Sequence, residues 1–147
     1  MEHEGLSQPT LSAVLDELIP ARDSSLPGAG GLGVGGYVEE RLGDATPLVA
    51  AGLAALEAFV RDRHASDFAA LPAAERRTLL ESIDGEHPGF LSCLVFHTYN
   101  GYYQHPKVAV AIGLPPRPPH PEGYELEAGD LGLLDGVRRR AKFYRDA

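Results

Sequence analysis

The segment from Thr46 to Ala65, TPLVAAGLAALEAFVRDRHA, constrains the fold more than any other part of the chain. Leu48, Val49, Gly52, Leu53, Leu56, Phe59 and Val60 recur at three- and four-residue spacing, the spacing of one helical face. A strand, with its period of two, would scatter them over both faces. Thr46 then Pro47 reads as a cap followed by a first-turn proline. Small residues along this helix allow a second helix to approach closely.

The same grammar recurs along the chain. Thr10 is expected to cap LSAVLDELI, with Leu11, Val14, Leu15, Leu18 and Ile19 on one face, and Pro20 stops that helix. GGYVEERLG reads as a short helix offering Tyr37, Val38 and Leu42 to the core, with Gly43 at its C′ position. Pro72 opens PAAERRTLLESID, which turns Leu79, Leu80 and Ile83 inward and ends at Gly85. GFLSCLVFHTYNGYYQHP presents Phe90, Leu91, Leu94, Val95, Thr98, Tyr102 and Tyr103 as a broad apolar face. Its Val95, Phe96, Thr98 and Tyr99 suit a strand by propensity, but its length and lack of alternation favour a helix to about Asn100. Pro106 ends it, and KVAVAIG starts a short helix or a strand.

LPPRPPHPEGYELEAGDL holds five of the chain's 12 prolines and is expected to be extended, as an SH3-type ligand or an ordered tail. Asp130 then caps a last helix with Leu131, Leu134, Val137, Ala141 and Tyr144 inward, although Gly132 and Gly136 each weaken it by about 1 kcal/mol. The expected fold is mainly α: a single helical domain over residues 1–147, with about five to seven helices, a Gly-rich loop and a Pro-rich extended segment at 114–128. Residues 1–9 are expected to be disordered.

The formal charge is −8, from 21 acidic and 13 basic residues, which excludes nucleic-acid binding through a broad basic face. The one dense basic run, Arg138–Arg140, suits a helix C-terminus. Cys93 is the single cysteine, so neither an internal disulfide nor a thiolate zinc site can form. The start, MEHEGLSQPT, has no basic n-region or apolar h-region, and no window approaches 18 uninterrupted apolar residues. Together these lead to an expectation of a cytoplasmic chain with no membrane insertion; a leader removed earlier would place it in the periplasm instead.

PGAGGLGVGG, Pro27 to Gly36, fits G-x-G-x-x-G twice. A dinucleotide fingerprint needs a buried strand before it and an acidic residue at the end of a second strand. The preceding IPARDSSLP is no central strand, and Asp44 sits in a GDATP turn. Close packing or positive φ explains these glycines better.

Catalytic and metal signatures are sparse. The six histidines include no H-x-x-x-H or H-E-x-x-H pair. His97 and His105 lie eight residues apart, too far to share an ion unless the helix breaks at Gly101; Glu57 could join them, but the E-x-x-H of ferritin-like sites is missing. There is no G-x-S-x-G elbow for a serine nucleophile. Cys93 and His97 form an i, i+4 pair, readable as a thiolate–imidazolium pair or as a buried structural thiol among Phe90, Leu91, Leu94 and Val95. In HTYNGYYQHP, the phenols of Tyr99, Tyr102 and Tyr103 fit either a core whose hydroxyls reach local carbonyls or a surface that meets a partner.

LDELIP, PGAGGLGV with Tyr37 after it, GLAALE, the proline-started ER–LL helix, F-L—HTYNGYYQHPKV and PEGY follow one another from Leu11 to Tyr124. In this order the motifs resemble the gluconate 2-dehydrogenase subunit 3 family. The resemblance implies a small subunit without catalytic residues, the partner of a large FAD-dependent flavoprotein of the glucose–methanol–choline oxidoreductase type. It implies that FAD and the oxidation of a sugar or another alcohol belong to that partner, with a cytochrome c often taking the electrons. The small subunit of such a pair helps the large one fold, persist and, with a twin-arginine leader, cross a membrane. No twin arginine is present here, where Arg22 stands alone after the first helix.

Three readings follow. In the first, the chain holds no cofactor and meets its FAD-dependent partner through Tyr99, Asn100, Tyr102, Tyr103, His105, Pro106, Gly28, Gly30 and Tyr124. In the second, it is a small enzyme or a ligand- or metal-binding protein using His97, Tyr103 and His105. In the third, it is a stand-alone regulatory helical module.

Overall fold

The computed structural model describes residues 6, 8–22, 25–63, 67–117, 120–121, 123 and 126–141. Seven α-helices stand among them: α1 Gln8–Leu18, α2 Val34–Arg41, α3 Thr46–Arg63, α4 Ala73–Glu86, α5 Phe90–Gln104, α6 Pro106–Ala111 and α7 Asp135–Arg138. Short 3-10 turns lie at Gly43–Ala45, Phe68–Ala70 and Leu131–Leu134. The described residues hold no strand, only an isolated antiparallel bridge between Arg22 and Leu26. The mainly α fold is as the periodicity requires. The chain falls into two compact units, Met1–Arg117 and Pro118–Ala147.

In the first unit, six helices enclose one apolar core. α1 contributes Leu11, Val14 and Leu15, α3 contributes Val49, Leu53, Leu56 and Val60, and α4 contributes Leu79, Leu80 and Ile83. The segment 43–62 is long and apolar enough to cross a membrane by composition, with a mean hydropathy of 1.3. Its larger apolar side chains instead line this core. Gly52 shows why small residues matter: a Cβ there would stand 2.6 Å from Cε2 of Phe90, the first residue of α5.

The caps differ from expectation. α1 starts at Gln8, so Thr10 is inside the helix; it is buried, and its hydroxyl donates to Glu57 Oε1 of α3 at 2.7 Å. Thr46 does not cap α3, because the 3-10 turn before it runs directly into the helix and its hydroxyl donates to the Gly43 carbonyl at 2.8 Å. Gly43 takes a φ of 49° just past α2, the left-handed C′ conformation that glycine adopts without strain. Gly85 lies within α4, which ends one residue later. Asp84 then accepts the Leu91 amide at 2.8 Å, so a carboxylate of α4 meets the positive N-terminal end of α5.

α5 does not stop at Asn100 but continues to Gln104. Gly101 is the point at which α2 crosses: a Cβ would lie 2.8 Å from Val34 Cγ1 and 2.6 Å from Tyr37 Cδ1. The segment after Pro106 is helical, not a strand.

Arg76 of α4 joins three segments. Its Nε donates to Glu17 of α1 at 2.7 Å, and its Nη1 donates to the Ala69 and Leu71 carbonyls, each at 3.0 Å. Nη2 stands 2.5 Å from the same Glu17 oxygen. Arg76→Ala is expected to lower stability by about 2 kcal/mol, because a carboxylate and two carbonyls lose their donor together. Arg76→Lys will not restore it, since one ammonium cannot reproduce the guanidinium fork. A urea midpoint that stays at the wild-type value would refute this.

In the second unit, Asp130 caps as expected, accepting the Gly132 amide at 2.9 Å. The helix it was expected to start is a 3-10 turn and one turn of α7. Leu131, Leu134, Val137 and Ala141, expected to face inward, are all exposed. Tyr144 lies outside the described residues.

Candidate partner-binding surface

The Gly-rich loop folds back on the end of α1. The Gly30 and Gly31 amides donate to Asp16 Oδ1 at 2.8 and 3.3 Å, and the Ala29 amide donates to the Ile19 carbonyl at 3.0 Å. A Cβ on Gly28 would meet Asp16 Oδ1, and one on Gly30 would meet the Ser12 carbonyl. The backbone approach that glycine permits is therefore to this chain's own helix. The amides that would cradle a phosphate bond a carboxylate of α1 instead. Gly33, with a φ of 74°, turns the loop into α2. Gly28 is buried, so the expectation that it presents itself to a partner is corrected, whereas Gly30 is half-buried.

The tyrosine run divides by helical phase. Tyr102 faces the core at 3% exposure, and its hydroxyl donates to the Pro27 carbonyl at 3.0 Å, pinning the start of the Gly-rich loop. Burial, and second the neighbouring Tyr103, push its phenol above the usual value. Tyr102 is therefore a core residue, not a surface one. Tyr99 and Tyr103 are exposed on the opposite face, with ring centroids 5.9 Å apart.

Phe96 and Val95 extend this outer face, and Phe96 is 64% exposed. Val95 and Tyr103 were grouped with the broad apolar face of this helix, Tyr103 was also placed on the partner surface, and Phe96 was noted only for its strand propensity. The signal lay in the spacing of Phe96, Tyr99 and Tyr103, which is a second helical stripe on α5. Val95, Phe96, Tyr99, Asn100, Tyr103 and Gln104 line a shallow groove of about 400 Å³. Asn100 is tied back to the Phe96 carbonyl at 2.7 Å, and Gln104 donates to the Tyr37 hydroxyl at 3.1 Å, so both polar groups on this face are held in place.

His105 is the hinge between α5 and α6. Its Nδ1 accepts the Lys107 amide at 3.2 Å and so caps α6, while Pro106 takes the first helical position. Pro106 also lines a second apolar groove of about 580 Å³ with Pro27, Lys107, Val110, Ala111 and Pro116. Tyr124 lies outside the described residues.

The chemical alternatives gain no support. His97 stacks edge-on against Phe96, with ring centroids at 5.1 Å, and no three His, Cys, Asp or Glu side chains among the described residues stand together as metal ligands. Glu57 is engaged by Thr10 of α1. Burial pushes the Cys93 thiol up, the opposite of what an activated thiolate requires.

Neither the curated proteins nor the solved structures gave a match to this chain. The family model described as gluconate 2-dehydrogenase subunit 3 matches residues 7–113, which takes in α1 to α6 with the Gly-rich loop and both grooves' helices, and the chain belongs to that family.

Proposed function

We propose that this chain is a non-catalytic subunit that binds and stabilises the large FAD-dependent subunit of an alcohol or sugar dehydrogenase, and that the outer face of α5 is the docking surface. One observation carries the reading. Val95, Phe96, Tyr99 and Tyr103 are exposed together on one helix, although three of the four are aromatic. Contiguous exposed apolar side chains of this kind mark interaction sites, and aromatic residues are favoured at their centres. Family membership supports a multi-subunit partnership, since the family is described as a dehydrogenase subunit. The groove at Pro106 and the exposed Val110 and Ile112 of the α6 end offer a second contact area.

FAD belongs to the partner in this reading. The Gly-rich loop does not fit a dinucleotide, because Asp16 occupies its amides with a negative charge where a pyrophosphate would need positive potential.

The test is co-expression of this chain with the large subunit. Phe96→Ala combined with Tyr99→Ala is expected to leave the free chain within about 0.5 kcal/mol of wild type. The same pair should weaken the complex by about 2 kcal/mol, roughly 30-fold in Kd, and lower the yield of flavin-loaded enzyme. Unchanged affinity in the double variant would remove α5 from the interface.

A further inference from the structure

The chain carries 21 acidic residues, yet no Asp or Glu stands between Glu86 and Glu122. That stretch builds α5 and α6, so the helices under both grooves come from the carboxylate-free part of a chain whose formal charge is −8. Neither groove has a carboxylate in its lining, whereas the cavity of about 290 Å³ beside α1 has Asp16. The groove at Pro106 holds a single charged side chain, Lys107. Its ammonium has no ion pair among the described residues. The walls are fixed before anything binds. Tyr102 holds the Pro27 carbonyl at 3.0 Å, and Pro106 with the His105 cap sets the first turn of α6. The groove lies in the first unit, and all of its lining but Pro116 falls within the residues 7–113 that the family model covers.

We infer that the groove at Pro106 receives an apolar segment of the large subunit that carries a carboxylate, and that Lys107 selects this segment by pairing with the carboxylate. The inference rests on the reading that this chain binds such a subunit, and it names what the partner presents at α6. Charge complementarity carries it. An ammonium without a pair attracts a carboxylate and rejects a second cation, and no acidic side chain in the groove competes for it or repels an acidic segment. The prefixed walls lower the ordering cost of binding. A small-molecule site buries most of its ligand, whereas Pro106, Lys107, Val110, Ala111 and Pro116 are all exposed, which suits a chain laid across them. An anionic lipid surface is drawn by clusters of about four to eight Lys or Arg. Between Glu86 and Glu122 only Lys107 and Arg117 are of those types.

The full chain and the large subunit are purified, and their affinity is measured over a range of salt for wild type, Lys107→Gln and Lys107→Glu. Lys107→Gln is expected to bind about 3-fold more weakly, with a flatter salt dependence. Lys107→Glu is expected to bind at least about 10-fold more weakly and to associate more slowly, because it sets like charges against each other. The free variants should melt as wild type does, since Lys107 is exposed and a carboxylate in the first turn of α6 suits the helix dipole. Wild-type affinity in Lys107→Glu overturns the inference and leaves the α5 reading to the Phe96 and Tyr99 variant. An equal loss in both variants that salt does not alter assigns Lys107 to packing and overturns it too. So does a Lys107→Glu chain that loses only binding to phosphatidylglycerol vesicles. A wild-type chain that fails to bind the large subunit overturns both readings together.

Discussion

Gly30→Val is expected to destabilise the chain by about 3 kcal/mol, the upper range of a forced overpacking, and to lower its melting temperature by roughly 10 °C. The added Cβ would collide with the Ser12 carbonyl and stand 2.6 Å from Ser12 Oγ and 2.8 Å from Asp16 Oδ2. A backbone oxygen inside α1 cannot swing away as a side-chain end can. Relief requires the loop to lift off α1, which breaks the Gly30 and Gly31 bonds to Asp16. Gly31→Ala is the control, because its nearest neighbour would lie 3.6 Å away, an ordinary contact. Thermal melts by circular dichroism of the two variants decide the matter. Equal melting temperatures would show that the loop is not wedged against the helix. If Gly30→Val alone melts early, any loss of partner binding in it is secondary to a loosened fold.

What was legible in the sequence was what depends on local period. Val49, Leu53, Leu56 and Val60, or Leu79, Leu80 and Ile83, share a helical face whatever surrounds them, and all are buried. Hydrogen-bond partners were less legible, because they are chosen by tertiary proximity. Thr10 has the side chain of a cap but spends it on Glu57, 47 residues away. Gly101 has the composition of a helix break but marks a crossing, because α2 presses Val34 and Tyr37 against it. The glycines of the Gly-rich loop were read as close approach or positive φ, and both occur, at Gly30 and Gly33. The acidic residue that satisfies them, Asp16, precedes the loop and was not singled out.

The C-terminal leucines fail for a related reason. Spacing says which residues share a face, not whether the chain itself supplies anything to cover it. Leu131, Leu134 and Val137 have the spacing of a core-facing helix and are exposed.

Tyr102 and Tyr103 are adjacent in sequence, and their alanine variants are expected to fail in different assays. Tyr102→Ala removes a core ring at 3% exposure and strands the Pro27 carbonyl, which should cost about 4 kcal/mol and roughly 13 °C in melting temperature. Tyr102→Phe keeps the ring and loses only the hydrogen bond, about 1 kcal/mol. The phenol also gives a pH signature. Its folded pKa is raised above 10.0, so folding favours the protonated form. The stability it contributes is complete below the unfolded value and is lost as pH climbs through the folded one. Wild type should therefore weaken at strongly alkaline pH more than Tyr102→Phe does. Tyr103→Ala removes a half-exposed ring whose contacts are Tyr99 and the edge of Tyr102, so the free chain should change by no more than about 0.5 kcal/mol. Its loss should appear in the complex, as about 2 kcal/mol of affinity for the large subunit, because a tyrosine at an interface buries its ring and bonds through its hydroxyl. Thermal melts of the free chains and titrations of the complexes give both numbers. A Tyr103→Ala chain that melts early and, once folded, binds normally would assign that ring to the core, and the outer face of α5 would shrink to Val95, Phe96 and Tyr99.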